Sequence, residues 1–264
     1  MGTALVTGAS AGLGLEFAWQ LATAKHDVVL VARDEERLTR LAAQLEAAAG
    51  IRAEVLVADL TRSDDVARVA DRLRSDESPV GLLVNNAGFG LNQEFVGGDL
   101  ERELTALDVM VRAVLVLSHA AAEAMVARGR GAILNVGSVA ALMASGTYSA
   151  HKAWVQSFTE GLAVELKGTG VTATVVNPGF THTEFHERGR IDMSQYPEIV
   201  WLNAEDVVAT ALADVRRGVV ISTPSARYRT MSALARIAPR SAIRAIGRYR
   251  RAIDDAPADA DADA

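Results

Sequence analysis

The feature that most constrains this chain is a glycine-rich turn near its start, TGASAGLG at residues 7–14. A short apolar run over residues 3–6 precedes it, and a helical pattern begins near Leu13. N–H groups in the first turn of a helix lack intrahelical partners and carry partial positive charge. A glycine-rich turn that leads from a strand into such a helix start therefore favours the binding of a phosphate. The spacing differs from G-x-G-x-x-G, but the context is that of a nucleotide-binding βαβ unit rather than a plain turn.

Strand-like and helical patterns then alternate along the chain. Strand-like runs cover residues 3–6, 27–32, 53–58, 81–84, 131–136, 171–176 and 219–222. Helical patterns cover residues 15–24, 35–49, 63–74, 100–128 and 153–167. This alternation predicts an α/β fold with a parallel sheet and helices on both faces. No repeat or linker divides the chain, so we predict one domain over residues 1–253 with its core in 3–224.

Composition excludes several classes of protein. Half of the 264 residues are hydrophobic, which allows a large core, yet no apolar run approaches the ~20 residues of a membrane span. The first strand starts at residue 3, which leaves no signal peptide, and the chain has no cysteine for disulfides or thiolate metal sites. We therefore expect a cytoplasmic protein.

The net charge of −6 arises largely at the end of the chain. Residues 254–264 contain five aspartates and no base, so we predict a disordered acidic tail there. The rest of the chain balances 27 bases against 28 acids. That balance leaves no overall positive electrostatic field that would favour binding to nucleic acid.

A cofactor preference follows from the residue after the second strand. Arg33 lies about 20 residues beyond the glycines, where dinucleotide-binding folds place the group that reads the adenosine ribose. An acid there would bind the ribose hydroxyls, whereas a guanidinium suits a 2′-phosphate. We expect NADP(H) to be preferred, with NAD(H) as a second cofactor; the alternative is a surface arginine at the start of the next helix.

Polar residues gather where the predicted strands end, which is where open α/β sheets bind ligands. Tyr148 and Lys152 are four positions apart, so on a helix they share a face, and an ammonium there would lower the phenol pKa from about 10. Ser138 would hold a substrate oxygen beside the phenol. This trio predicts proton transfer for a carbonyl/alcohol pair, with hydride from a nicotinamide. Taken alone, Tyr-x-x-x-Lys is a weak signal and is far more often an ordinary helix face.

Five motifs in order resemble the short-chain dehydrogenase/reductase family, in its compact single-domain branch, over roughly residues 3–224. They are Thr7-Gly8-x-x-x-Gly12-x-Gly14, Asn85-Asn86-Ala87-Gly88, Ser138, Tyr148-x-x-x-Lys152 and Pro178-Gly179. The resemblance implies a three-layer Rossmann fold with seven strands, a nicotinamide cofactor and oxidoreductase activity on alcohols or carbonyls. It implies Tyr148 as general acid/base, Lys152 as the residue that binds the nicotinamide ribose and lowers the tyrosine pKa, and Ser138 as the residue that positions substrate.

The resemblance also implies the cofactor site. Asp59 and Leu60 would flank the adenine, Asn86 would lie beside the cofactor, and Thr181 and Thr183 would lie near the nicotinamide amide and pyrophosphate. The complete expected set is Gly8, Ser10, Gly12, Leu13, Gly14, Arg33, Asp59, Leu60, Asn86, Tyr148, Lys152, Pro178, Gly179, Thr181 and Thr183.

Two departures from the family pattern affect the expected chemistry. Most members have an asparagine that holds a water of a proton relay, and Met110 stands at that position here, without an amide's donor and acceptor. Asp108 faces elsewhere on the helix and is no substitute. The separation of Ser138 from Tyr148 is also shorter than usual, which trims the loop over residues 139–147. An alternative function is therefore a nucleotide-binding protein with weak or no catalysis.

The family resemblance implies that the region after the last cofactor motif closes over the substrate. Residues 180–203 hold several aromatic side chains and, with Leu142, Met143 and Trp154, predict a largely apolar pocket; ordinary core and loop aromatics are the alternative. We expect no metal site, because His182 and His186 are four apart without a third ligand or a His-Glu-x-x-His pattern.

The C-terminal segment over residues 225–253 is basic. Arginines recur every four residues from Arg236 to Arg248, and no acid occurs from 215 to 253. Three interpretations stay open: a solvated or subunit-contact helix, a docking surface for an acidic acyl carrier or CoA-type substrate, and an anionic membrane surface. The family resemblance also implies a homo-oligomer, a dimer or tetramer formed through the long helices.

Overall fold

A computed structural model describes residues 2–91, 93–184 and 197–246 of the chain. Its centre is one sheet of seven parallel strands in the order β3-β2-β1-β4-β5-β6-β7. The strands are β1 (Thr3–Thr7), β2 (Asp27–Ala32), β3 (Ala53–Val57), β4 (Val80–Asn85), β5 (Gly131–Val136), β6 (Val171–Val176) and β7 (Ile221–Ser222). The predicted α/β fold with a seven-stranded parallel sheet is confirmed.

Helices cover both faces of this sheet, which makes three layers. One face packs against α1 (Gly12–Thr23), α2 (Glu35–Ala49) and α7 (Ala204–Arg216). The other face packs against α3 (Ser63–Arg74), α5 (Ala113–Ala127) and α6 (Gly146–Glu165). The central strands are apolar almost throughout because both of their sides are buried. Two further helices are α4 (Leu100–Leu107), before α5, and α8 (Ala226–Ile237), after β7.

The strand order places a ligand crevice at the end of β1. The chain builds β1 to β3 in one direction and then returns to place β4 on the other side of β1. At such a switch point the connections leave the two strands toward opposite faces, which opens a crevice beyond their carboxyl ends. The glycine-rich turn after β1 and Asn85-Asn86 at the end of β4 therefore meet there.

Several predicted boundaries need correction. The helix predicted over 100–128 is confirmed as continuous from Leu100 to Ala127, but it contains an unpredicted π-helical turn, Asp108–Arg112, between α4 and α5. The helix predicted to begin at residue 153 begins at Gly146, and the segment 204–216, which was not predicted, is helical. Propensity does not reveal these features because tertiary packing sets helix ends and π turns.

The helical stretch Leu100–Ala127 is long and apolar enough, by length and composition alone, to cross a membrane. Half of its most apolar window is buried, and Leu117, Ala120 and Met125 of α5 are fully buried in the core beside the sheet. Among the described residues this is the one such helix, and we assign it to the core of the domain.

Three predicted segments lie partly or wholly outside the described residues. Of the basic segment predicted over 225–253, residues 247–253 with Arg248 lie outside them. The acidic tail over 254–264 lies wholly outside them, as do residues 185–196 of the segment predicted to cover the substrate, with Phe185, His186, Met193 and Tyr196. The single-domain organisation over residues 1–253 stays a prediction.

Candidate active site

The glycine-rich turn requires glycine at several of its positions, and Gly8 and Gly14 show the two physical reasons. Gly8 has a φ of +67°, a left-handed conformation that side chains disfavour. At Gly14, an added Cβ would lie 2.1 Å from the carbonyl oxygen of Gly8, closer than atoms can approach. The start of α1 thus sits directly on the turn, and its N-cap residue, Ala11, provides no side-chain cap for its first N–H groups. This cradle fits the pyrophosphate of a dinucleotide, with Ser10 and Leu13 partly buried within it.

Thr7 and Asn86 join this turn to the end of β4. The Thr7 hydroxyl oxygen accepts from the backbone N–H groups of Asn86 and Ala87 at 2.9 and 3.1 Å. The Asn86 side-chain amide donates to the carbonyl oxygen of Thr7 at 2.9 Å. Asn86 therefore lies at the cradle, where it was expected, and it holds the shape of the turn. The sequence interpretation assigned Thr7 no role; its place at the end of β1 was the available signal.

The expected adenosine end of the site is formed by β2 and β3. Arg33 is exposed directly after β2, and no described residue forms an ion pair with it. Arg37 on α2 reaches Glu184 at 3.4 Å, so this helix is linked to the segment that follows β6. Asp59 accepts from the Thr61 hydroxyl at 2.9 Å. Leu60 is buried in the core, so Asp59 alone of that pair presents its side chain near the surface.

Ser138, Tyr148 and Lys152 lie close together in the structure. The hydroxyl groups of Ser138 and Tyr148 are hydrogen bonded. Lys152 is 4% exposed, and its ammonium lies 5.7 Å from the centroid of the Tyr148 ring and donates to the Val136 carbonyl oxygen at 2.7 Å. Because α6 begins at Gly146, Tyr148 and Lys152 occupy one face of the same helix.

The pKa of Tyr148 differs from the value that the sequence led us to expect. Burial raises the pKa of its phenol to about 12, and the hydrogen bond from Ser138 only partly opposes this. The expected lowering by Lys152 is not found, because the ammonium lies beside the ring and bonds to a carbonyl. Burial also lowers the pKa of Lys152 to about 8. In the protein alone, both groups are thus shifted toward their neutral forms.

The low pKa of Lys152 predicts a pH dependence of stability. Lysine in an unfolded chain titrates near 10.4, so between about pH 8 and 10 the unfolded chain binds more protons than the folded one, and the unfolding free energy rises with pH. We expect the unfolding free energy of the wild type to gain roughly 1–2 kcal/mol relative to Lys152→Met between pH 8 and 9.5. The effect of Tyr148 enters only above about pH 10.

Urea unfolding of both proteins at several pH values measures this difference. Exposed Lys167→Met serves as the matched control and should give a curve parallel to that of the wild type. Parallel curves for Lys152→Met as well would contradict the assigned burial of the ammonium.

Met110 makes the wall behind the trio apolar. It is 1% exposed, lies in the π turn, and packs in a small cluster that includes Tyr148. A Cβ built on Gly88 would be 3.4 Å from the Met110 sulfur and 3.7 Å from the Lys152 nitrogen, so these two atoms border the same space. Asp108 instead pairs with Arg112 at 2.9 Å, which agrees with the prediction that it faces elsewhere.

Buried polar residues hold the loops of the trio in place. Asn177 accepts from the Ser138 N–H at 3.0 Å and donates to Gln156 on α6 at 2.9 Å, so it ties the Ser138 loop to the helix of Tyr148. Glu103 on α4 is 9% exposed and accepts from the Thr147 hydroxyl at 2.6 Å, next to Tyr148 in the chain. No periodic signal in the sequence marks Glu103, because only the packing of α4 against α6 brings it there.

The segment after β6 is held by a tyrosine of α8. At Gly179, an added Cβ would lie 2.1 Å from ring atoms of Tyr228, so glycine is needed for this contact as well as for any cofactor. The Tyr228 hydroxyl accepts from the Phe180 N–H at 3.2 Å. Pro178 accepts from the Val139 N–H at 3.1 Å. The carbonyl oxygens of Pro178 and Gly179 are thus both used within the protein, since Gly179 accepts from the buried Thr181 hydroxyl.

Thr183 alone of the two threonines reaches the glycine-rich turn. Its Cβ lies 3.4 Å from the position that a Cβ on Gly12 would take, which places it at the expected pyrophosphate site. Thr181 is 5% exposed and pairs with Leu202 in an isolated bridge. The role expected for Thr183 is compatible with its place, whereas the Thr181 side chain is turned inward.

Two other predicted features lie elsewhere. Trp154 stacks on Phe158, with ring centroids 4.8 Å apart, in a groove on the outer face of α6, so its expected place in the substrate pocket is wrong. It follows Tyr148 by six residues and so points about 240° around the helix. His182 bonds to Glu198 at 2.7 Å, and the described residues contain no group of three metal-ligating side chains; His186 lies outside them.

Comparisons with known proteins agree with this geometry. A family model described as short chain dehydrogenase matches residues 2–193. Sulfoacetaldehyde reductase 2 from Chromohalobacter salexigens is 39% identical over 69% of this chain and 73% of its own length. A structure of a short-chain dehydrogenase from Sphingobium yanoikuyae in complex with NADPH is 33% identical, with a TM-score of 0.80, over 100% of this chain and 99% of that one.

A second solved structure extends the comparison. The bulky-bulky ketone specific alcohol dehydrogenase from Comamonas testosteroni is 29% identical, with a TM-score of 0.78. The similarity covers 98% of this chain and 96% of that chain.

Proposed function

Since the chain belongs to the short-chain dehydrogenase family, we propose that it is an NADP(H)-preferring oxidoreductase that interconverts a ketone or aldehyde with an alcohol. When bound, the nicotinamide cofactor supplies or accepts the hydride. The cradle at Gly8 and Gly14, with Thr183 beside it, would hold the pyrophosphate. Tyr148 would hold the proton that the substrate oxygen gains or loses, and Ser138 would orient that oxygen.

The observation that carries this proposal is the convergence of three side chains at the mouth of the crevice. Ser138 and Tyr148 share a hydrogen bond, so their hydroxyl groups can both face one substrate oxygen. Lys152 lies one helical turn from Tyr148 with a single described acceptor, Val136, which leaves two ammonium protons for a ribose. A proton-transfer group needs this proximity before its pKa matters.

An absorbance assay at the nicotinamide band tests the proposed reaction. The purified protein is screened with NADPH and NADH against graded ketones and ketoacyl thioesters, and with NADP⁺ and NAD⁺ against secondary alcohols. We expect turnover with an apolar ketone and NADPH. Tight NADPH binding without turnover of any substrate would instead support the alternative, a nucleotide-binding protein with weak or no catalysis, which the apolar Met110 wall favours.

Arg33→Ala tests the cofactor preference. A charge-assisted hydrogen bond to a 2′-phosphate contributes about 1.5–3 kcal/mol, so the variant should bind NADPH roughly 10- to 100-fold more weakly. NADH lacks that phosphate and should lose less than about threefold, because the rest of the site is untouched. Fluorescence titration with both cofactors measures the two dissociation constants.

The control for this prediction is Arg40→Ala, an exposed arginine one turn beyond Arg37 on the same helix. It changes the net charge equally and should leave the ratio of the two affinities unchanged. Equal losses of NADPH and NADH binding in Arg33→Ala would refute a 2′-phosphate role.

The proposed substrate has an apolar body, and the protein is proposed to form a homo-oligomer in the cytoplasm. The similar Comamonas testosteroni enzyme, described as specific for bulky-bulky ketones, supports a substrate with an apolar body.

The proposed homo-oligomer is supported by exposed apolar side chains on two helices. Leu100, Leu104 and Leu107 are exposed along α4, and Val164 is 76% exposed on α6, which supports subunit contact through these helices. The mass in solution, from light scattering, decides between a monomer and a dimer or tetramer.

A further inference from the structure

The outer face of α8 and of the helix over residues 240–246 combines cationic and large apolar side chains. The exposed arginines are Arg227, Arg229, Arg236, Arg240 and Arg244. The exposed apolar side chains are Met231 (52%), Leu234 (59%), Ile237 (81%) and Ile246 (46%). These nine residues are called the basic surface.

Within α8 the apolar side chains occupy one flank, which they share with Arg227, four residues before Met231, and the other two arginines occupy a second flank. Met231, Leu234 and Ile237 recur every three residues, so they lie within about 120° of one another around the helix. Arg229 and Arg236 are seven residues apart and share the other flank of the exposed half. Tyr228, which is 4% exposed, marks the side of α8 that faces the protein. The helix thus presents an apolar flank and a cationic flank side by side to the outside.

The positive charge of the basic surface is not neutralised by the described part of the chain. The sequence contains no acid from residue 215 to 253. Among the described residues none forms an ion pair with these arginines: Arg227 bonds to the Ile199 carbonyl, and Arg240 contacts the Leu142 carbonyl at 3.4 Å. Glu198, next to Ile199 in the chain, is paired with His182. The partner of this surface should therefore be anionic.

The exposed apolar flank narrows the choice of partner. A second copy bound through a two-fold axis would bring the two basic surfaces together, and repulsion between their like charges opposes this. An acidic protein would pair with the arginines, but it would not explain why three large apolar side chains are exposed side by side on α8. A bilayer with anionic lipids offers phosphates to the arginines and an acyl region to Met231, Leu234 and Ile237. We propose that the basic surface binds the surface of an anionic lipid bilayer.

The position of the basic surface in the fold gives membrane binding a functional consequence. Arg240 contacts Leu142, four residues after Ser138, and Tyr228 of α8 holds the Phe180 N–H after Pro178-Gly179. The basic surface therefore adjoins the side of the domain where the proposed substrate would enter. This consequence rests on the proposed function: an apolar ketone would reach the enzyme from the membrane. Binding to lipid itself does not depend on activity.

Vesicle flotation with the full-length protein tests the proposal without a catalytic assay. The full chain is used because residues 254–264 carry five aspartates, whose negative charge opposes the positive charge of the basic surface. We expect binding to vesicles of phosphatidylcholine with phosphatidylglycerol, little binding to phosphatidylcholine alone, and release at high salt. Arg229→Gln/Arg236→Gln/Arg244→Gln should weaken binding on the order of 100-fold. Leu234→Gln/Ile237→Gln should weaken it by at least about 10-fold.

A matched control removes the same charge elsewhere. Arg40→Gln/Arg74→Gln/Arg216→Gln changes three other exposed arginines and should keep wild-type binding. Absence of binding to anionic vesicles, or equal weakening by both arginine triples, would overturn the proposal. The proposal would also be overturned if the protein did not bind vesicles but used the basic surface to self-associate or to bind an acidic carrier protein. Thermal melts of all variants separate these outcomes from misfolding.

Discussion

Tyr148→Phe should lower kcat by about 10²- to 10⁴-fold, while leaving the affinity for NADPH within about threefold of the wild type. The substitution removes only the hydroxyl group that shares a hydrogen bond with Ser138. It keeps the ring that packs in the cluster with Met110. A group that exchanges a proton with the substrate in the transition state is lost, whereas the shape of the site is kept. Steady-state kinetics on an active ketone, with cofactor titration, measures both quantities.

Tyr228→Phe is the matched control for this prediction. It removes another buried hydroxyl, which bonds to Phe180 and Val200, outside the cluster of Ser138 and Lys152. We expect a stability loss of about 1 kcal/mol and a change in kcat of less than about 10-fold. Unchanged turnover in Tyr148→Phe would show that the acid/base assignment is wrong.

Gly14→Ala should destabilise the protein and abolish tight cofactor binding. The new methyl group would lie 2.1 Å from the Gly8 carbonyl oxygen and 2.5 Å from the Asn86 side-chain amide, so α1 or the turn must move. Overpacking of this kind costs about 1–3 kcal/mol, and the movement pulls the first N–H groups of α1 away from the phosphate position. We expect a melting temperature lower by several degrees and NADPH binding weakened by at least about 100-fold.

Gly161→Ala gives the same chemical change without the clash. Gly161 lies in α6, is exposed, and has no atom within 4 Å of the position of an added Cβ. Alanine is the better helix former there, so the melting temperature should stay the same or rise slightly. If Gly14→Ala bound NADPH as the wild type does, the turn would not be the phosphate site. Thermal melts and fluorescence titration measure the two effects.

Much of the fold could be predicted because its signals are local. The apolar runs that became β1 and β2 are nearly continuous in sequence, since strands buried on both faces have no solvent-exposed side. The relative place of Tyr148 and Lys152 was equally local, because a spacing of four fixes a shared helix face. Helix boundaries were less accurate, and the π turn around Met110 had no local signal.

The sequence by itself determined the order of the elements, the glycine turn after β1 and the identity of the reactive side chains, because these depend on residue type and short spacing. Only the tertiary structure decided which polar groups support the site, such as Asn177 and Glu103, because their partners are distant in the chain. It also decided the direction of the pKa shifts of Tyr148 and Lys152, since burial is a property of packing. In the same way, exposure on α8 distinguished Leu234 and Ile237 from core residues of the same type.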